Sequence, residues 1–263
     1  MCGIAGYSLS PESRVDRTLA AQALLAAIAE RGADAVGFAF RAPGQGPATV
    51  HKQRSGASEL LDRISVPADA TQLLVHVRDY TKGHPSISAN NHPVRHGAVV
   101  GIHNGIIFND DELLEGHGCA RREAGMSVDS EAIFALAAHT GAEAHALERL
   151  RGSMASAWLD ERRPDLLFIA RGVGRPLWVG RGRAETFFAS TRLALEVVER
   201  YAGIRLRKRE IPEGTLVVLE HGRQAKRTRF EPNRAFDEES LPSVRTPHEG
   251  AFCLSRLAAL AAA

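Results

Sequence analysis

Apolar residues fall mostly in short runs broken by Gly, Pro and Asn, with a few longer stretches of strong helix formers between them. Residues 2–7, short, apolar and glycine-punctuated, read as a strand at the start of the chain. Residues 18–30 read as a helix, with Asp16 placed to cap its start and Gly32 to stop its end. Leu19, Leu24, Ile28 and the alanines around them give that helix a buried stripe. Residues 36–40, 49–53, 72–77 and 98–103 are strand-like and separated by turn residues. A second helix is expected from about residue 129 through Ile133, Phe134 and Leu136, and a third over 142–150. Strands are expected again at 155–159, 166–170, 177–180, 186–190 and 215–220. Strands outnumber helices and the helices come in separate blocks. That favours an α+β fold with two mainly antiparallel sheets covered by helices over repeated parallel crossovers.

Composition narrows the function classes. The chain has 263 residues, 44% of them hydrophobic and 24% charged, which suits a soluble globular protein with one large domain. Net charge is only +2, and the basic residues are scattered among acids along the sequence, which argues against a nucleic-acid or membrane-surface partner. No apolar run approaches the ~20 residues of a membrane span, and the first residues lack a basic secretory start, so a cytoplasmic location is expected. The three cysteines, Cys2, Cys119 and Cys253, have no paired metal spacing and are expected as thiols in a reducing compartment. Beyond Phe230 the Pro, Glu and Arg content rises, and this part reads as an irregular extension ending in a short apolar helix over 252–260.

Four local features carry candidate chemistry. Removal of Met1 would leave Cys2 with a thiol and a free α-amine, titrating near ~8.5 and ~8, so the amine can take the thiol proton at little cost. Cys at position 2 is also common in proteins that make no catalytic use of it. In Ile102-His103-Asn104-Gly105-Ile106-Ile107 the Asn-Gly pair fits a hairpin turn. At a strand end it also offers a side-chain amide and a backbone N–H to a developing oxyanion. Arg78, leaving a strand into a loop that ends at Gly83, is either a surface ion-pair partner or a bidentate clamp for an amino-acid carboxylate. Asp129, in Ser127-Val128-Asp129-Ser130-Glu131, is either a helix cap or the partner of a substrate ammonium.

Taken together these are more than coincidences. Met1-Cys2-Gly3-Ile4-Ala5-Gly6-Tyr7, Arg31-Gly32-Ala33-Asp34-Ala35-Val36-Gly37, the stretch 76–83, Ala89-Asn90-Asn91-His92-Pro93, His103-Asn104-Gly105 and Asp129-Ser130-Glu131 share the order and spacing of one family. Over residues 2–220 the sequence resembles the class II (N-terminal nucleophile) glutamine amidotransferases, in particular the glutaminase domains of glucosamine-6-phosphate synthase and of amidophosphoribosyltransferase. The resemblance implies a four-layer αββα sandwich of two antiparallel sheets, of the Ntn-hydrolase type. It implies Cys2 as nucleophile, forming a γ-glutamyl thioester, with Asn104 and Gly105 as oxyanion donors. Arg78 would hold the substrate carboxylate and Asp129 its ammonium, with Thr81 in the substrate loop and Arg31 and His103 in support. Where glucosamine-type members carry Trp, then Ala-Thr-His-Gly after the arginine, this chain has Asp79-Tyr80-Thr81-Lys82-Gly83, which bears on glutamine affinity and loop closure.

The remaining features are read structurally. Five histidines between His76 and His103 fit no common ligand spacing, so no metal and no other cofactor is expected. Cys119 and Cys253 read as inert thiols, Trp158 and Trp178 as core, and Gly172-Val173-Gly174-Arg175 as a hairpin turn. The organisation expected is an amidotransferase domain over 2–220 and an extension over 221–263. The forty or so residues after 220 are too few for a synthase domain. A separate synthase protein that takes the ammonia is therefore expected, with the extension and the loop at Asp79 as docking surfaces; homo-oligomer formation is left open. Two alternatives remain: hydrolysis of another γ-glutamyl amide, or a non-catalytic glutamine-sensing or interaction module.

Overall fold

The computed structural model describes residues 2–44, 46–239 and 241–262. The expected removal of Met1 thus falls outside the described residues. In chain order the strands are β1 (Gly3–Leu9), β2 (Ala35–Arg41), β3 (Thr49–Gln53), β4 (Gln72–Arg78), β5 (Val94–His96), β6 (Val99–Ile107), β7 (Gly152–Asp160), β8 (Leu166–Arg171), β9 (Trp178–Arg181), β10 (Glu185–Ala189), β11 (Arg207–Glu210), β12 (Thr215–Glu220) and β13 (Arg223–Arg229). The helices are α1 (Arg17–Ile28), α2 (Ser58–Leu61), α3 (Asp110–Gly116), α4 (Glu131–Thr140), α5 (Arg192–Ala202) and α6 (Pro247–Leu260).

The strands form one seven-stranded sheet, β11-β9-β10-β1-β4-β2-β3, and one six-stranded sheet, β13-β12-β8-β7-β6-β5. Neighbouring strands pair antiparallel throughout both. Side chains alternate across each strand, so each sheet has an inner and an outer face. Ile4, Leu74, Ile102, Ala155, Ala157 and Ile169 meet in a buried layer between the sheets. On the outer face of the larger sheet, Ala5, Tyr7, Leu73, Val75 and Val77 pack under α1, α5 and α6. On the outer face of the smaller sheet, Trp158 and Phe168 pack under α4 with Ile133, Phe134 and Leu136. The layers are therefore αββα, as the resemblance implied.

Local chemistry accounts for most boundaries. Asp16 caps α1 by accepting from the Leu19 amide at 2.9 Å. Gly141 ends α4 and Gly203 ends α5, each in the left-handed region at φ 70° and 63°, where glycine carries no Cβ penalty. Four readings need correction. Asn104-Gly105 lies inside β6, because that strand continues to Ile107 against β7. Gly172-Val173-Gly174-Arg175 is no hairpin, because β8 and β9 belong to different sheets and the segment crosses between them. Residues 144–149 form a 3-10 helix. Helix α5 had gone unassigned; its Thr191 side chain accepts from the Ala194 amide at 3.2 Å, and Leu195 and Val198 are buried against the sheet.

The segment beyond 221 holds more order than its composition suggests. β13 completes the smaller sheet by pairing with β12. α6 is longer than expected and buries Cys253 and Leu257 in the α1 layer. Its Glu249 accepts from the Ser58 amide at 2.7 Å, and the amides of Arg245 and Thr246 both donate to the Glu30 carbonyl at 2.9 Å.

Helix α4 sets its distance to the smaller sheet through one ring. A Cβ at Gly101 of β6 would lie 2.0 Å from Cε1 of the fully buried Phe134. Phe134→Ala is expected to cost about 3–5 kcal/mol in urea unfolding, and Gly101→Ala about 1–3 kcal/mol through overpacking. The double substitution should cost less than the sum, since the truncated ring makes room for the added methyl. Additive costs would show that the ring does not set this spacing.

Candidate active site

Strand parity brings the candidate residues together. Cys2 precedes β1 on the inner parity shared with Ile4, and Arg78 ends β4 on the parity of Leu74 and His76. The antiparallel register Gly3↔Val77 and Ile4↔His76 sets Cys2 beside Arg78. Asn104 follows Val100 and Ile102 on the inner face of β6. Across the gap the sheets are tied by the His76 ring, whose Nε2 donates to the His103 carbonyl at 3.1 Å.

Cys2 is partly buried, and its Sγ donates to the Asp79 carbonyl at 3.5 Å. Burial pushes its thiol pKa up, against the lowering effects of that hydrogen bond and of the Arg78 charge. The thiol is therefore protonated near neutrality. Arg31, buried just past α1, donates from Nε to the Cys2 carbonyl at 2.9 Å, while its Nη2 has no partner among the described residues. The turn carrying Arg31 lies hard against the end of β4: a Cβ at Gly32 would come 2.4 Å from the Arg78 carbonyl oxygen. Only glycine permits that approach. Asp34 completes the contact, its amide donating to the Arg78 carbonyl and its carboxylate accepting from the Tyr80 amide, both at 2.9 Å.

Asn104 is fully buried, yet among the described residues neither Oδ1 nor Nδ2 of its amide has a hydrogen-bond partner. Leaving such groups unpaired costs about 1–3 kcal/mol each, a cost that packing alone would not maintain. Gly105 has φ 143°, and a Cβ there would meet the Ser153 carbonyl oxygen at 2.0 Å, so this position admits no side chain. Cys2 stands between two cavities. One is lined by Arg78, Thr81, His103, Gly105 and Asp129; the other by Asn104, Gly105, Arg175, Glu238 and Leu241. Each is about 10 Å³, room for about one water molecule.

The wall of the first cavity is a network of charges. The Arg78 guanidinium donates to Asn91 Oδ1 at 2.6 Å, to the Lys82 carbonyl at 2.8 Å and to the Gly83 carbonyl. Lys82 Nζ lies 2.7 Å from both oxygens of the buried Asp110 and 3.3 Å from Asp111, which binds the loop to the start of α3. Arg121 joins the same two carboxylates. Asp129 does not cap α4; its Oδ2 accepts from the Ile107 amide at 2.7 Å. Burial raises the Asp129 pKa to about 6. His103 Nε2 donates to the Ser153 carbonyl at 3.2 Å, so its Nδ1 accepts from the Ser130 hydroxyl at 2.9 Å. Burial drives His76 and His103 down to about 3, and His92, stacked on His76 at 4.1 Å, is lowered in the same way. These rings are neutral near neutral pH and support the walls; none supplies a base with ordinary imidazole basicity.

All eight sequence candidates thus have a place here. Cys2, Asn104, Gly105, Arg78, Thr81, Asp129 and His103 line the paired cavities, and Arg31 reaches them through the Cys2 backbone. Asn91, Lys82 with Asp110 and Arg121, and the far wall of Arg175, Glu238 and Leu241 went unassigned. Asn91 stood in a quoted motif without a role. Arg175 and Glu238 pair across 63 positions of sequence and leave no local signal. Of the other cysteines, Cys253 is buried with its thiol pushed up to about 12, and Cys119 donates to the His117 carbonyl at 3.7 Å; neither lines either cavity. Among the described residues no group of His, Cys, Asp and Glu could hold a metal, and no helix is long and apolar enough to cross a membrane.

Comparison with known proteins bears on this site. Residues 77–197 match the model of a glutamine amidotransferase domain. Glutamine--fructose-6-phosphate aminotransferase (isomerizing) of Escherichia coli O6:H1 is 36% identical over 180 residues, covering 62% of this chain and 28% of the relative. Its namesake from Caulobacter vibrioides is 34% identical over 232 residues, covering 84% of this chain and 36% of the relative. The chain therefore spans about a third of the length of these relatives. The fold is shared with glutamine phosphoribosylpyrophosphate amidotransferase from B. subtilis, at a TM-score of 0.67 and 20% identity over 87% of this chain and 49% of that one. It is shared equally with a structure described as the allosteric regulatory enzyme of purine biosynthesis, at 0.69 and 22% over 89% of this chain and 50% of that one. The chain accordingly carries a glutamine amidotransferase domain of the class II, N-terminal-nucleophile family.

Proposed function

We propose that this protein hydrolyses the side-chain amide of glutamine, with Cys2 as nucleophile after loss of Met1. The freed α-amine takes the thiol proton as sulfur attacks the amide carbon, which a thiol raised by burial requires. Charge developing on the amide oxygen is met by Asn104 Nδ2 and the Gly105 N–H. Collapse breaks the C–N bond, the proton passes to the leaving nitrogen and ammonia departs. Water then cleaves the γ-glutamyl thioester, releasing glutamate and restoring the thiol. Arg78 holds the substrate carboxylate and Asp129 the ammonium, with Thr81 at the rim. The observation that carries this reading is the buried Asn104 amide, unpaired among the described residues, in a cavity shared with Cys2.

Glutamine does not fit the closed cavity, so the loop 79–83 moves for entry, exchanging the contacts of Arg78 with the Lys82 and Gly83 carbonyls for contacts with substrate. Residues 2–220 make up the catalytic unit in this reading. Ammonia passes to a separate synthase, which meets residues 221–263 and the loop at Asp79. In support, Arg245 lies 3.2 Å from Asp79, and Glu238 and Leu241 wall the cavity on the far side of Cys2.

Intact mass spectrometry with a glutamine-analogue electrophile should report loss of Met1 and a single label. Cys2→Ala should abolish that label, whereas Cys119→Ala and Cys253→Ala should retain it; a label that survives Cys2→Ala removes the proposed nucleophile. In steady-state kinetics, Asn104→Ala should lower kcat by about 10²–10³-fold with little change in KM, and Arg78→Ala should chiefly raise KM.

Asp129 makes a separate prediction. Its folded pKa of about 6 lies above the ~3.9 of an unfolded chain, so between these values the native state binds the proton more tightly. Its contribution therefore favours folding as pH falls from about 6 toward about 4, and its buried charge opposes folding above that window. Asp129→Asn should remove this slope from unfolding free energies measured against pH and leave stability near neutrality undiminished, while raising KM for glutamine. A loss of stability near neutrality would show that the charge itself is needed by the fold.

A further inference from the structure

Arginines gather where the edge strands β11 and β13 of the two sheets come together. Arg207 stands directly opposite Arg181 in the β9–β11 ladder, and Arg209 opposite Val179. Val179 belongs to the layer between the sheets, so all three arginines project on that inner side. Lys208, on the other side, pairs with Glu199 of α5. The smaller sheet contributes from β13. A bulge between the pairs Leu219↔Gln224 and Val218↔Lys226 shifts the strand by one residue. Arg227 then pairs with Val217, and Val217 and Leu219 both face the inter-sheet layer, so Gln224 and Arg227 share the inner face although three positions apart.

These side chains rim a cavity of about 260 Å³, walled on its apolar side by Val179, Ile211, Pro212 and Val217. The one carboxylate on its lining, Glu210, is already bonded to Arg171 at 2.6 Å. No ion pair engages Arg207, Arg209 or Arg227 among the described residues. Like charges directly opposite one another in a ladder are destabilising. Burial, and then the neighbouring Arg209, Arg207 and Arg227, hold the Arg181 pKa below its ordinary value. The sequence spreads these four arginines over 181–227; only the two sheet edges gather them. Guanidinium forks match phosphate oxygens two at a time.

We propose that this cavity is a binding site for a small phosphorylated anion, a diphosphate or a phosphate ester, held by arginines from both sheets. The cavity lies just under the ~300 Å³ at which pockets for drug-sized ligands begin, and the basic groups converge on it from two sheets instead of following one track. Both features favour a small ligand over a polymer. The apolar wall gives an ester's organic group a place that inorganic phosphate cannot use.

The test is isothermal titration of the full chain at ~50 mM salt, where charge contacts are weakly screened, with inorganic pyrophosphate, phenyl phosphate and inorganic phosphate. One-to-one binding of pyrophosphate is expected, with phenyl phosphate bound more tightly than inorganic phosphate. Arg207→Ala and Arg227→Ala, one from each sheet, should each weaken pyrophosphate about tenfold, the loss of one charge-assisted contact. Arg207→Lys and Arg227→Lys should retain part of the affinity, which separates lost contacts from misfolding. Arg192→Ala, on the exposed face of α5, should bind as the parent does. Absence of saturable pyrophosphate binding, a stoichiometry above one, or indifference to Arg207→Ala and Arg227→Ala would overturn the proposal. Tighter binding of a single-stranded oligonucleotide or an acidic peptide than of pyrophosphate would also overturn it.

Discussion

Two sheets packed face to face leave a layer between them that only every second residue of each strand can reach, and this constraint organises the molecule. Over most of its area the layer is filled by apolar side chains such as Ile4, Leu74, Ile102 and Ile169. At one end the same parity delivers Cys2, Arg78 and Asn104, so the candidate site continues the core with polar groups in apolar positions. A one-residue slip in β1, β4 or β6 would turn a key side chain to the helical side.

Polar groups in that position are costly unless satisfied, and the ways in which they are satisfied separate scaffold from candidate chemistry. His76 and His103 give ring N–H groups to carbonyls and stay neutral. Arg31 gives Nε to the backbone carbonyl of Cys2. Among the described residues the Asn104 amide satisfies nothing and is satisfied by nothing, and Asp129 keeps a carboxylate that burial makes reluctant to ionise. In the proposed reading, both are stabilised once a substrate supplies an oxyanion and an ammonium. Arg78 is the intermediate case, its guanidinium engaged by carbonyls of a loop that Lys82 ties to Asp110. That tie uses one of the residues at which the loop departs from the glucosamine-type pattern, and another, Asp79, meets Arg245 of the C-terminal segment.

Much of this was legible in the sequence. Short apolar runs, turn residues and helix formers pointed to β1, β2, β3, β4, α1 and, after residue 150, β7, β8, β9, β10 and β12, because these signals are local; β11 and β13, which are mostly charged, were not legible. The motif set pointed to Cys2, Arg78, Asn104 and Asp129 because their order and spacing are carried on the chain itself. Where reading failed, a non-local contact had decided the matter. Asn104-Gly105 has the composition of a turn, but pairing with Met154 and Ala155 of β7 extends the strand through it. Asp129 has the position of a cap, but the Ile107 amide claims its carboxylate.

The sequence by itself determined most of the strands and the longer helices, the apolar stripe of α1, and the set of residues whose order and spacing match one family. Tertiary structure decided who meets whom. It set Cys2 against Arg31, brought Arg175 and Glu238 together beside it, and gathered at the sheet edges a group of arginines that looks dispersed in the chain. The reason is physical: propensity and periodicity act within a few residues, whereas charge meeting charge and a Cβ meeting a carbonyl depend on how two sheets stack and where a bulge shifts their register.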